Sequence, residues 1–127
     1  MTACVLDASA LMAVIRREPG AAFVEARMAG AAMSTVNASE AVMRSVEKGF
    51  SEELVTALIS VQRLELIAFD ADLALAAARL RPVTRGFGLS FADRACIATA
   101  MRRGATIVTA DSVWATLDLP CPVELIR

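Results

Sequence analysis

The sequence contains no histidine, and this absence excludes several classes of enzyme at once. Ser-His and Cys-His nucleophilic catalysis both need an imidazole base, and most zinc sites of catalytic type include histidine. Tyrosine is also absent, and lysine occurs once, as Lys48. Carboxylates are therefore the abundant side chains that can serve as acids, bases or metal ligands.

The three cysteines form no CxxC pair. Cys4, Cys96 and Cys121 are widely spaced and lie among apolar residues. We interpret them as small buried hydrophobic side chains. The first residues also lack the charged and apolar segments of a secretion signal. These features favour a reducing, cytoplasmic environment.

Long apolar segments are missing too, although 57% of the residues are hydrophobic and the mean hydropathy is +0.56. The longest stretch without charge, residues 28–39, is too short to cross a bilayer. A chain of 127 residues suits one compact domain over residues 1–127. We therefore expect no membrane segment, and we expect apolar surface that contacts a partner protein or a second copy of the chain.

Short apolar runs alternate with longer helical patterns, which predicts an α/β fold with parallel strands. Strands are predicted at 3–7, 31–36, 65–69, 105–111 and 122–126. Helices are predicted at 8–18, 20–29, 37–49, from 51, from 71 and at 90–104, with a loop at 82–89. Asn37 and Asp70 are predicted to cap the helices that follow them.

Two acids follow predicted strands. Asp7 ends the first strand and Asp111 follows the fourth. Because the carboxyl ends of parallel strands share one edge of a sheet, both acids are expected at the edge where ligands bind. Asp111 is equally well explained as a helix cap. A carboxylate that ends an apolar strand must be paired, protonated or bound to a cation, and Asp7 has no basic residue closer in sequence than Arg16.

Two further acids lie in the first turns of predicted helices. Asn37-x-x-Glu40 and Ser90-x-x-Asp93 resemble capping boxes, which explains each acid alone without a functional role. Four carboxylates brought together would nevertheless repel one another unless a positive charge lay between them. An oxygen-only ligand set suits Mg²⁺ or Mn²⁺, and such a site commonly acts on phosphodiesters.

The residues resemble those of PIN domains and, within that family, the VapC-like ribonuclease toxins of toxin–antitoxin pairs. The resemblance covers nearly the whole chain, through "VLDASAL" with Asp7, Glu40 after the second strand, "LSFADRACIATA" with Asp93, and "IVTAD" with Asp111 followed by Trp114. It implies a three-layer α/β/α sandwich and a Mg²⁺- or Mn²⁺-dependent endoribonuclease. It also implies a VapB-like antitoxin partner, and catalytic and metal-binding roles for the four acids. A homodimer is expected on the separate ground of the surplus apolar surface.

The same resemblance places two hydroxyl side chains, Ser9 and Thr109, beside the acids, where they orient a carboxylate or hold a water molecule. Each has an ordinary structural explanation. Ser9 is suited to capping the first helix, and Thr109 to a β-strand.

The net charge of −1 and the isoelectric point near 5.4 are unusual for a protein that binds nucleic acid. Removing the four proposed site acids from the 14 acids leaves ten against 13 basic residues, a balance of +3. Four arginines lie near the proposed edge in sequence and are candidates for RNA binding or for ordinary surface charge: Arg16, Arg17, Arg85 and Arg94.

Two other classes of function remain open. A phosphotransfer domain with an aspartyl nucleophile would need a lysine after a later strand, whereas Lys48 is predicted to lie in a helix. A non-catalytic PIN-like module that keeps the metal site and binds RNA or protein also fits the pattern.

Five apolar residues in helical stripes are candidates for an interface or for the core: Leu11, Met12, Ile15, Leu54 and Leu58.

Overall fold

A computed structural model of the chain describes residues 2–127 and contains a five-stranded sheet. The strands are β1 (Cys4–Leu6), β2 (Ala31–Ser34), β3 (Glu65–Ile67), β4 (Thr106–Thr109) and β5 (Val123–Leu125). They are all parallel, in the order β3-β2-β1-β4-β5. The five predicted strands are confirmed, and each is shorter than predicted.

The helices are α1 (Ala8–Arg16), α2 (Ala21–Glu25), α3 (Thr35–Glu47), α4 (Glu52–Val61), α5 (Ala71–Arg79), α6 (Arg81–Thr84) and α7 (Phe91–Arg103). The segment predicted as one helix over 20–29 instead ends at Glu25 and continues into a 3-10 turn, Met28–Gly30. The prediction of a loop over 82–89 missed α6. No helix within the described residues combines the length and the apolarity that a membrane span requires.

The helix after β2 begins earlier than predicted. Ser34, not Asn37, caps α3, because the Ser34 hydroxyl accepts the backbone N–H of Val36 at 3.2 Å. Asn37 therefore lies inside the first turns of the helix, where it is buried. The prediction for Asp70 is confirmed, since its carboxylate accepts the N–H of Leu73 at 3.0 Å.

Successive strand residues point to opposite faces of the sheet and fill two separate cores. Cys4 and Leu6 pack with α1–α4 on one face, whereas Val5 packs with α5 and α7 on the other. The buried Trp114, which follows β4 in the chain, belongs to the second core. The predicted three-layer α/β/α sandwich is thus confirmed, and its sheet is wholly parallel.

The chain direction across the sheet reverses at its centre. From β1 the chain moves outward to β2 and β3, and it then returns to the other side of β1 to form β4 and β5. In an open parallel sheet such a switch point leaves a crevice at the carboxyl ends of the two central strands. The residues that follow β1 and β4 border this crevice, and they include Asp7 and Asp111.

Candidate active site

A cleft of about 290 Å³ opens at the carboxyl ends of β1 and β4. All four predicted acids line it: Asp7, Glu40, Asp93 and Asp111. The rest of the lining comes from the start of α1, one turn of α3 and the segment before α7: Ala8, Ser9, Arg44, Gly88 and Ser90. Four separate segments of the chain therefore bring their carboxylates to one place.

Asp7 is held by three hydrogen bonds and is only 5% exposed. Its Oδ1 accepts the Ser9 hydroxyl at 2.7 Å and the Ala10 backbone N–H at 2.9 Å, and its Oδ2 accepts the Thr109 hydroxyl at 2.5 Å. The Ala10 bond makes Asp7 the N-cap of α1. Asp7 is thus a helix cap as well as a cleft residue.

The two predicted hydroxyls connect the start of α1 to the end of β4. Ser9 accepts the backbone N–H of Ala110 at 2.9 Å, and Thr109 accepts that of Asp111 at 3.0 Å. Their oxygen atoms lie 3.3 Å apart. The structural alternative for Ser9, capping of α1, is wrong because Asp7 occupies the cap position.

Asp93 takes part in the predicted capping box at the start of α7. Its Oδ2 accepts the backbone N–H of Ser90 at 2.8 Å, and the Ser90 hydroxyl accepts the N–H of Asp93 at 3.2 Å. These bonds fix the carboxylate at the rim of the cleft. The cap and the cleft position therefore use the same side chain, so the two interpretations of Asp93 are compatible.

Glu40 is not part of a capping box, which corrects the prediction for Asn37-x-x-Glu40. Asn37 instead donates its Nδ2–H to the backbone oxygen of Ala92, in the first turn of α7, at 2.9 Å. This bond ties α3, which carries Glu40, to the helix that carries Asp93. The Glu40 carboxylate lies 3.8 Å from the Nε of Arg44, one turn further along α3.

Asp111 is the most exposed of the four acids and caps the 3-10 turn Ser112–Thr116. Its Oδ1 accepts the N–H of Val113 at 3.0 Å. The interpretation of Asp111 as a cap is confirmed, although the capped segment is a 3-10 turn and not an α-helix. As with Asp93, the cap holds the carboxylate at the cleft.

Burial and mutual repulsion make the cleft unfavourable for negative charge. Burial raises the pKa of Asp7 from 3.8 to about 6, against the lowering effect of its three hydrogen bonds. Burial also raises the pKa values of Asp93 and Glu40. The charge of Asp93 adds to the rise at Asp7 and Glu40, and that of Asp111 adds to the rise at Asp93.

With this geometry established, comparison with known proteins identifies the family. The sequence model of the PIN domain matches residues 4–119. The chain belongs to the PIN domain family. A search among curated proteins returned no match.

Solved structures agree with the assignment to PIN domains. A chain of the DNA-bound VapBC from Salmonella typhimurium superposes with a TM-score of 0.76 at 19% identity, covering 100% of both chains. A chain of a toxin–antitoxin complex from Klebsiella pneumoniae gives 0.79 at 19% identity, covering 98% of each chain. For VapBC-5 from Mycobacterium tuberculosis the TM-score is 0.65 and the identity 28%, over 100% of this chain and 99% of that one. The resemblance to VapC-like PIN domains predicted from the motifs is confirmed.

The donor set of this PIN-domain cleft fits a hard divalent cation. All four acids offer carboxylate oxygens, and the cleft contains neither histidine nor cysteine. Within residues 2–127, however, no three such side chains lie close enough together to share one ion as they stand. Binding of an ion by more than two of these acids would therefore require their side chains to move closer together or to bind through water molecules.

The structure distributes the four predicted arginines over several places. Arg16 lines a groove next to the cleft, and Arg17 ends α1 in the left-handed conformation, with φ 54°. Arg85 is exposed after α6, and the Arg94 guanidinium lies 6.0 Å from the ring of Phe91.

Sequence reasoning missed Arg44, which is the basic side chain among the described residues that lines the acid cleft itself. Its four-residue spacing from Glu40 on a predicted helix was the available signal. That spacing places both side chains on the same helix face.

Proposed function

We propose that this PIN-domain protein is a Mg²⁺- or Mn²⁺-dependent endoribonuclease that acts as the toxin of a toxin–antitoxin pair. The observation that carries the proposal is the convergence of four acids from four segments on one cleft at the switch point of the sheet. PIN domains are generally nucleases, and the chain is similar in fold to chains of VapBC complexes. In a cytoplasm, free enzyme of this kind would inhibit growth or translation by cutting RNA.

Asp7, Glu40, Asp93 and Asp111 would hold the ion through their carboxylates. When bound, the ion supplies positive charge that neutralises the scissile phosphate and lowers the pKa of a water molecule. Ser9 and Thr109 keep the Asp7 carboxylate oriented by donating to both of its oxygens. The caps at Asp93 and Asp111 fix the other side of the cleft by using backbone N–H groups.

The apolar surface supports a protein partner. A groove of about 450 Å³ runs beside α1 and α4 and is lined in part by Ile15, Phe50, Leu54 and Leu58. Leu54 is 51% exposed, whereas Leu11 and Met12 are buried in the core. The predicted set of apolar residues is therefore divided, and the exposed members suit an amphipathic segment of a VapB-like antitoxin. A homodimer remains part of the proposal, to be tested by sedimentation at micromolar concentration.

The decisive experiment measures cleavage of mixed RNA by purified protein with EDTA, Mg²⁺ or Mn²⁺. We expect cleavage only with the divalent ions. Asp7→Asn should reduce the rate by on the order of 10³-fold, because it removes a charged ligand at the reacting centre. Asp118→Asn is the matched control, since it removes an exposed carboxylate outside the cleft lining. Cleavage that persists in EDTA and in Asp7→Asn would contradict the proposal.

The alternative is a non-catalytic PIN-like module that binds RNA or protein. It predicts a shift of intact RNA in the same assay, with no metal-dependent products. Growth arrest on expression, relieved by the protein of a neighbouring reading frame, tests the toxin role separately from the chemistry.

A further inference from the structure

A second groove, larger than the acid cleft, adjoins it between α1 and α3. Its volume is about 570 Å³, and Ser9 and Arg44 line both spaces. The two spaces therefore meet at this pair of residues. Four basic side chains line the larger groove against two acidic ones: Arg16, Arg44, Lys48 and Arg127 against Glu18 and Glu47.

The basic residues follow two helices that lead away from the acids. On α1, Ser9 lies at the cleft and Arg16 lies two turns further on. On α3, Glu40 lies at the cleft, Arg44 one turn further on, and Lys48 at the end of the helix. A ligand that enters the cleft and continues between these helices meets acidic groups first and basic groups next.

Arg44 is directed toward the cleft. Basic residues near a helix carboxyl end often serve to complement the helix dipole. The Arg44 Nε instead faces Glu40, one turn nearer to the start of α3, at 3.8 Å. That distance is too long for a hydrogen bond, and the Arg44 side chain is 54% exposed, so the guanidinium is free to turn toward a stronger anionic partner.

The other basic groups offer further charge at increasing distance from the cleft. Lys48 is exposed and makes no ion pair within residues 2–127. Arg127 donates to the backbone oxygen of Pro19 at 2.9 Å, which fixes its position while leaving its charge unpaired by that bond. Arg16 contacts Glu18 at 3.6 Å and is the most nearly neutralised of the set.

We infer that this groove binds the backbone phosphates of the RNA strand on one side of the scissile bond, with Arg44 contacting the phosphate nearest the cleft. The inference rests on the proposed function, because it takes RNA as the ligand. Phosphate is the repeating anion of that ligand, and arginine presents a planar fork of donors that matches it. The acid cleft and the groove would then bind adjacent parts of one strand.

The test measures binding of a labelled single-stranded RNA of mixed sequence, with Mg²⁺, across a series of salt concentrations. Every protein carries Asp7→Asn so that the RNA stays whole. Arg44→Ala and Lys48→Ala should each weaken binding by about fivefold to tenfold at low salt. Each should also reduce the slope of log Kd against log salt by about 0.7, the value for one lost phosphate contact on a single strand. The control is Arg63→Ala, which removes an exposed arginine from a different pocket, shared with Glu65 and Arg103.

Two outcomes would overturn the inference: no measurable RNA binding, or equal affinities and salt slopes in the groove variants and in Arg63→Ala. A separate cleavage assay of the protein without Asp7→Asn distinguishes this failure from failure of the proposed function. If the RNA stays intact in that assay but the groove variants show reduced salt slopes, the nuclease function is refuted and phosphate binding in the groove is retained. If the RNA is cleaved in a metal-dependent way but the salt slopes are unchanged, phosphate binding in the groove is refuted and the nuclease function is retained.

Discussion

The acids near the two ends of α7 have pKa values shifted in opposite directions. At the end of the helix, Arg102 and Arg103 each form two hydrogen bonds to a carboxylate, of Asp70 and Glu65 respectively, at 2.7–3.0 Å. These bonds lower the pKa of Asp70 to about 2 and lower that of Glu65. At the start of the helix, Asp93 faces Asp7 and Glu40 across the cleft, and the pKa values of all three are raised.

The difference shows which end is arranged for stability. Exposed acids paired with arginine are stabilised in their ionised form, and each pair contributes modestly to the stability of the fold. In the cleft, Asp7, Glu40 and Asp93 are buried or half-buried, and Arg44 is the one basic side chain in the described lining to balance their negative charge. Unfavourable electrostatics of this kind are typical of functional sites, where a bound cation or substrate relieves them. The burial and mutual repulsion of these acids should therefore lower the free energy of unfolding of the metal-free protein.

The largest expected effect is a loss of stability as the pH rises, measured in EDTA. Asp7 holds its proton more tightly in the folded chain, with a pKa of about 6, than in the unfolded chain at 3.8. The free-energy cost of ionising Asp7 in the folded chain is therefore absent below pH 3.8. It lowers stability increasingly between the two values and is complete above about pH 6. Two pKa units correspond to about 3 kcal/mol. Urea unfolding followed by the fluorescence of the single, buried Trp114 measures it at each pH.

Asp7→Asn should remove most of this fall, while Asp118→Asn should retain it. The substitution keeps a side chain that can accept the Ala10 N–H and the Ser9 hydroxyl, so the fold should survive. If Asp7→Asn lowers stability at pH 7 instead, the stabilising hydrogen bonds of the carboxylate outweigh the cost of its burial. Asp7 would then stabilise the fold, as the exposed acids at the end of α7 do.

A smaller effect is expected from Asn37→Ala, which cuts the bond between α3 and the first turn of α7. Losing one partly buried hydrogen bond should cost about 1 kcal/mol of folding free energy. Because the bond joins the helices that carry Glu40 and Asp93, affinity for Mn²⁺ should fall about 10-fold as well, as for other residues that support metal ligands. Calorimetric titration with Mn²⁺ measures this second effect.

Thr99→Val is the matched control for Asn37→Ala. Thr99 is also fully buried and donates to a backbone oxygen, that of Ala95, but within α7 and not between helices. It should lower stability without changing Mn²⁺ affinity. Equal losses of Mn²⁺ affinity in both variants would mean that general softening of α7, and not the link to α3, determines the geometry of the cleft.

The smallest effect is expected from Arg102→Ala at the opposite end of α7. The pair with Asp70 is exposed and screened by salt, so stability at neutral pH should change little. Because the pKa of Asp70 is lowered to about 2, its contribution is lost as the pH falls from 3.8 toward 2, the reverse of the Asp7 effect. The variant should flatten that acidic part of the stability curve and leave RNA cleavage unchanged. A large loss of cleavage would show that the two ends of the helix are coupled.

The prediction of individual elements succeeded where a pattern is local. The β-strands follow from short apolar runs, and the capping box of Ser90 and Asp93 follows from spacing alone. Asn37 was predicted wrongly because Ser34, Thr35 and Asn37 are all suitable caps at the end of a strand. Only packing against α7 determines that Asn37 is needed inside the helix, where its amide reaches Ala92. α6 was missed because four residues with a proline give too weak a helical pattern.

The sequence by itself determined the alternation of strands and helices and the positions of four carboxylates beside the ends of those elements, because these depend on side-chain periodicity and capping chemistry. The resemblance placed Ser9 and Thr109 beside the acids, and the tertiary structure decided that both donate to Asp7. The tertiary structure alone decided that Asn37 joins α3 to α7 and that Arg44 lies between the cleft and a basic groove. The Thr109–Asp7 and Asn37–Ala92 bonds join residues from different elements. Of the five side chains involved, all except that of Asp7 fit other local roles equally well. Which role each one takes depends on the order of the strands and on the packing of the helices across them, and that is a property of the whole chain.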